Sequence, residues 1–240
     1  MTLAAVLWDM DGLMVDSEPL WTVAESELAV SLGGTWTDEV KALVVGTRLD
    51  VAVPAILAYF GVEPSAAQVA ETSAWLLQRM VELFDSALPL LPGVARLLQE
   101  IEAEGVPMAL VSSSYRVLVD AALATGLGPF AVTLAGDEVV HGKPHPEPYL
   151  TAALHLGVDP ARCVVLEDSP SGIASGEAAG CAVVAVPDVA GVLVQEAARR
   201  LVTSSLLDVS TADLRGLVSG PVPHLGVPVA VGDHVQDGGR

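Results

Sequence analysis

Five short apolar runs, each cut off at once by polar or turn-forming residues, constrain the fold of this chain more than any other feature. They are Leu3 to Trp8 before Asp-Met-Asp-Gly, Pro107 to Val111 before Ser-Ser-Ser, and Val132 to Ala135 before Gly-Asp. Cys163 to Leu166 before Glu-Asp-Ser and Ala182 to Val186 before Pro-Asp complete the set. Runs of this length bounded by turn signals read as buried strands. Stretches of helical length lie among them: Gly93 to Glu104, Tyr115 to Thr125, Pro146 to Leu156 and Ser171 to Ala179. Strands alternating with helices predict βαβ units with right-handed crossovers, hence an α/β fold with a Rossmann-like parallel-sheet core.

One segment breaks this rhythm. From about Asp16 to Ala87 there is no strand-like run, only helical patterns at Pro19 to Leu32, Thr37 to Val44, Asp50 to Phe60 and Ala66 to Phe84. The expected organisation is therefore a core of residues 1–15 and 88–219 with an α-helical cap, residues 16–87, inserted after the first strand. Residues 220–240 are rich in Gly, Pro and Val without helical pattern and read as a C-terminal tail.

Composition matters here mainly by exclusion. Eleven basic and 30 acidic residues leave a formal charge of −19. Such a surface repels nucleic acid and anionic lipid, so neither is an expected partner. It also repels phosphate esters, so a phosphate site would need local positive charge. Lysine is scarce, with Lys41 and Lys143 alone in the chain, which makes the position of Lys143 informative. Cys163 and Cys181 stand in Val-rich runs and not in a CxxC pair, so both read as reduced core residues. The N-terminal residues lack the basic segment of a signal peptide, and the most apolar long window is broken by Pro187, Asp188 and Glu196. A cytoplasmic monomer is the expectation.

In open α/β sheets, ligands bind beyond the carboxyl ends of the strands, where the strand order reverses. Asp9 and Asp11 follow the first run, Ser112 the second, Lys143 lies in the loop after the third, and Glu167 and Asp168 follow the fourth. Each has a plain structural reading when taken singly. Asp-x-Asp-Gly is a common turn, the three serines 112–114 can cap a helix, Ser169-Pro170 can start one, and a loop lysine can simply be solvated. Four such features in this order are harder to explain separately.

Taken together, Asp9-Met10-Asp11-Gly12 with Asp16-Ser17-Glu18, Val111-Ser112-Ser113-Ser114, Gly142-Lys143-Pro144-His145-Pro146-Glu147-Pro148-Tyr149 and Leu166-Glu167-Asp168-Ser169-Pro170-Ser171-Gly172 resemble the haloacid dehalogenase superfamily. The likeness is to its phosphatases and phosphomutases with a helical cap after the first motif, and it spans residues 1 to about 215. It implies a small phosphorylated substrate, Asp9 as a nucleophile that becomes phosphorylated, and Asp11 as acid and base. It further implies a hydrogen bond from Ser112 and a cation from Lys143 to the phosphoryl group. A magnesium ion (Mg2+) would be held by Asp9, the Asp11 carbonyl and Asp168, with Glu167 in or beside its shell. Gly12, Ser113 and the cap residue Arg48 would contact substrate, although Arg48 also reads as a surface arginine paired with Asp50 or Glu39.

Sugar phosphates and small polyol phosphates are the expected substrates. A β-phosphoglucomutase-like activity is the nearest alternative, weakened because Trp21 stands where those enzymes typically carry a histidine. A non-catalytic binding protein on the same fold is a further alternative, and the intact set of Asp9, Asp11 and Lys143 argues against it. His141 and His145 flank Lys143 and are expected to face solvent or tune that loop. The other histidines show no ligand spacing, and no zinc site is expected.

Overall fold

The computed structural model describes residues 2–44, 47–187 and 194–219, so the tail at 220–240 lies outside the described residues. Among the described residues two compact units emerge: those within 2–15, 90–116 and 128–219 form one, and those within 16–89 and 117–127 form the other.

The first unit is built on a six-stranded parallel sheet. Its strands are β1 (Ala5–Trp8), β2 (Met108–Val111), β3 (Val132–Leu134), β4 (Cys163–Glu167), β5 (Ala182–Ala185) and β6 (Arg200–Val202), in the order β3-β2-β1-β4-β5-β6. The strand order reverses at β1, which pairs with β2 on one side and β4 on the other. β1, β2, β4 and β5 are buried at every position, as expected of strands covered on both faces. Alternate residues Ala5 and Leu7 of β1, Ala109 and Val111 of β2, and Cys163 and Val165 of β4 join Tyr149, Ala152 and Ala153 in one cluster. Those last three belong to helix α7 (Glu147–Leu156), which lies on that face.

β6 escapes the sequence reading for a physical reason. It is a three-residue edge strand, and only its middle residue, Leu201, is buried. No alternation can be read from Arg200-Leu201-Val202, where two apolar residues stand side by side and one is buried.

The second unit holds α1 (Glu18–Ser31), α2 (Asp38–Val44), α3 (Leu49–Tyr59) and α4 (Ala66–Ser86). Helix α4 begins in a capping box, with Ser65 Oγ accepting from the Gln68 amide and Gln68 Oε1 from the Ser65 amide. Arg79 of α4 grips Glu27 of α1 with two hydrogen bonds, 2.7 and 2.8 Å long. The two connecting segments run antiparallel, with Val15 bridged to Leu90, Leu91 N–H donating to Met14 O and Asp16 N–H to Pro89 O. Cys163 and Cys181 are buried free thiols, as their apolar surroundings predict.

Candidate active site

The site is assembled from loop residues that follow β1, β2, β3 and β4, all within the first unit. Lys143 is its centre. Its ammonium donates to Asp9 Oδ1 at 2.5 Å, to Glu167 Oε1 at 2.6 Å and to the Val111 carbonyl at 2.9 Å. The Lys143 side chain is only 3% exposed, so these contacts replace nearly all of its hydration. Burial works against the charge, but the two carboxylates outweigh it and raise the lysine above its ordinary pKa. The ammonium also lies 5.0 Å from the centre of the buried Tyr149 ring.

Glu167 is fully buried at the end of β4, and four donors satisfy it. Lys143 and the Tyr149 hydroxyl, at 2.7 Å, share Oε1, while the Ser169 amide and hydroxyl reach Oε2 at 3.2 and 3.0 Å. Ser169 also caps helix α8 (Pro170–Ala178) by accepting from the Gly172 amide at 3.0 Å. Gly172 leaves room for this carboxylate, because a Cβ there would stand 1.7 Å from Glu167 Oε1.

Asp11 faces the β2 side. Its Oδ2 accepts from Ser112 Oγ at 3.2 Å and Ser114 Oγ at 2.8 Å, and Ser112 Oγ in turn accepts from the Ser114 amide. Gly12 has a left-handed φ of 81°, and a Cβ would meet Asp168 Oδ2 at 2.2 Å. Glycine therefore lets the turn after β1 close onto the turn after β4. Ser113 is exposed beside Ser112, with Gly136 packed closely on its carbonyl.

Asp9, Glu167 and Asp168 bring one oxygen each within 4.8 Å of one another. Burial pushes Asp9 well above the usual carboxylate range; Lys143 opposes this, and Glu167, Asp168 and Asp11 add to it. Asp168 is pushed up to about 7, by burial first and then by Glu167. With all three carboxylates ionised against one ammonium, two negative charges would stand uncompensated, which is the charge a divalent cation brings and the reason burial without one pushes Asp9 and Asp168 up. Hard oxygen donors suit magnesium, which takes oxygens at about 2.0–2.1 Å. The donor set fits that ion.

Of the expected residues, the structure thus brings together Asp9, Asp11, Gly12, Ser112, Ser113, Lys143, Glu167 and Asp168 around the β1 switch point. Arg48 lies in the second unit, exposed at the start of α3, with its Nε 3.4 Å from Asp50 Oδ1. Tyr149, Ser114 and Ser169 were not singled out as site residues. Tyr149 could have been found from its place six residues after Lys143, on a helix that also turns Pro148, Ala152 and Ala153 inward.

A model of the haloacid dehalogenase-like hydrolases matches residues 3–180. The chain belongs to that family. This hydrolase is 35% identical over 196 residues to the protein CbbY of Rhodobacter capsulatus, covering 78% of this chain and 86% of that one. It is 34% identical to hexitol phosphatase B of Escherichia coli K12, covering 77% and 84%. Among solved structures, CbbY from Rhodobacter sphaeroides in complex with phosphate superposes with a TM-score of 0.74 at 27% identity, over 87% of this chain and 96% of the other. The enzyme class read from the sequence, a phosphoric monoester hydrolase, agrees with these relatives. No helix among the described residues is long and apolar enough to cross a membrane.

Proposed function

We propose that this hydrolase is a magnesium-dependent phosphatase of sugar or polyol phosphates that works through a phosphorylated Asp9. The observation that carries the proposal is the single buried ammonium of Lys143, bonded to both Asp9 and Glu167 at the strand-order switch. The name of the hexitol phosphatase relative supports the substrate class.

In the proposed first step, a carboxylate oxygen of Asp9 forms a bond to phosphorus as the bond to the ester oxygen breaks. Asp11 delivers a proton to that leaving oxygen. In the second step Asp11 takes a proton from water, which attacks phosphorus, and the Asp9 carboxylate departs with its electron pair. Such proton transfer is typically worth roughly 10²–10⁴-fold in rate. Ser112 and Ser114, which hold Asp11 Oδ2, set the carboxyl for both transfers.

Magnesium, when bound, would neutralise phosphoryl and carboxylate charge and orient the group for in-line attack. Asp9, Asp168 and the Asp11 carbonyl would hold it. Glu167 is fully buried with the Lys143 ammonium on its Oε1, which favours it as the anchor of Lys143 over a direct ligand. The helical insertion, residues 16–87, would serve as a cap, with Arg48, Gly12 and Ser113 as substrate contacts.

The test is phosphate release across a panel of phosphorylated metabolites, with and without magnesium, with Asp9→Asn as control. Turnover that needs magnesium and vanishes in the variant is expected. Interconversion of sugar phosphates on adding a bisphosphate, without net phosphate release, would point to the mutase reading instead.

A further inference from the structure

Apart from the carboxylates around Lys143, one further cluster of metal-ligating side chains stands among the described residues. Ligand atoms of His141, His145 and Glu147 all lie within 4.8 Å of one another. His141 Nδ1 is 2.8 Å from Glu147 Oε2, and His145 Nδ1 is 3.9 Å from the same oxygen. The two imidazoles lie 4.5 Å apart, centre to centre.

The cluster is held in place by its own loop. Glu147 Oε1 accepts from the Val140 amide at 2.8 Å and Oε2 from the His141 amide at 3.0 Å. These bonds, together with His141, keep the carboxyl below its ordinary pKa. Ser175 of α8 donates to the His145 carbonyl at 2.6 Å, tying the loop to a neighbouring helix. Pinning a loop accounts for Glu147. It leaves His141 Nδ1 and His145 Nδ1 at 2.8 and 3.9 Å from one carboxylate oxygen, a gathering that a pinned backbone alone does not require.

We propose that His141, His145 and Glu147 form a second metal site, selective for a borderline transition metal, zinc foremost. Two imidazoles and a carboxylate are a zinc donor set, whereas magnesium prefers oxygen throughout. Ligands at about 2.1 Å from a tetrahedral zinc stand roughly 3.4 Å apart. The observed separations of 2.8 and 3.9 Å bracket that value, so small side-chain rotations close the site. Binding through His145 Nδ1 gives up one long hydrogen bond, 3.2 Å from the Glu147 amide. The histidine side chains are 61% and 50% exposed, so the ion arrives from solvent and water completes its shell. Lys143 lies between the histidines in sequence, so an occupied site would brace the loop that carries the active-site ammonium.

The test is calorimetric titration of the full chain with zinc in excess magnesium, for wild type, His141→Ala, His145→Ala and the double variant. One zinc per chain is expected, with affinity at least about tenfold lower in each single variant. A parallel electron paramagnetic resonance spectrum of bound copper(II) should show nitrogen hyperfine structure that the double variant loses. The oxygen-only cluster of Asp9, Glu167 and Asp168 cannot produce that signature. Zinc affinity and copper spectrum unchanged in the double variant, or no zinc uptake at all, would overturn the proposal.

Discussion

Replacing Tyr149 by Phe isolates one bond in the network behind Lys143. The ring stays, so the aromatic face 5.0 Å from the ammonium and the packing of α7 are retained. What disappears is the 2.7 Å hydrogen bond from the hydroxyl to Glu167 Oε1. Glu167 keeps Lys143 and the two Ser169 donors, so no carboxylate oxygen is orphaned. A hydrogen bond to a charged group is worth about 1.5–3 kcal/mol, and the loss should fall in that range. For a chain of this size that corresponds to a melting temperature lower by about 3–12 °C. Because Glu167 orients Lys143 toward Asp9, kcat should also fall, by roughly tenfold, given that a displacement of about 1 Å can cost 10². KM for substrate should change little. Thermal denaturation followed by circular dichroism and steady-state phosphate release measure the two effects. A Tyr149→Phe protein with wild-type melting temperature and wild-type kcat would refute the idea that this hydroxyl holds Glu167 and, through it, the lysine.

Lys143→Met removes the cation from two buried carboxylates; loss of one partner of a buried pair typically costs about 3–5 kcal/mol. Its kcat should collapse, while added magnesium should recover more stability than in wild type, as a shift assay with and without EDTA would reveal. Asp168 has a folded pKa of about 7 against an ordinary value of 3.8, so its contribution to stability without metal is full below about 3.8 and lost as pH rises through 7. Magnesium favours the ionised form, so the rise in melting temperature on adding it should be larger at pH 8 than at pH 5; equal rises would contradict this. Glu25 in α1 is also pushed up to about 7, by burial and then by Glu18, with Lys41 opposing. Glu25→Gln should therefore be more stable than wild type at pH 8 and not at pH 4. Gly172→Ala places a methyl 1.7 Å from Glu167 Oε1, and should lower both melting temperature and kcat, whereas the same change at exposed Gly157, with open space around it, should leave kcat unchanged.

The amino-acid sequence by itself determined the α/β class, five of the six strands among the described residues and the polar residues placed at their ends. Hydrophobic runs and the turn chemistry that stops them are local, so they can be read without knowing what packs on what. The four helices of the insertion were legible for the same reason. β6 was not, because one buried leucine carries no period.

Only the tertiary structure decided how the strand ends divide their work. Lys143 could be read as a lone cation, but that it binds Asp9 and Glu167 together depends on β1 and β4 lying side by side in register. Glu167 read as a metal-shell residue, yet its burial and its four donors follow from where α7 and α8 pack on the sheet. His141 and His145 read as residues that face solvent or tune the Lys143 loop. A fold of that loop, fixed by Glu147 and Ser175, turned their rings toward a shared oxygen. Which groups meet is set by strand register and loop closure, interactions between segments far apart in the chain, and no local pattern encodes them.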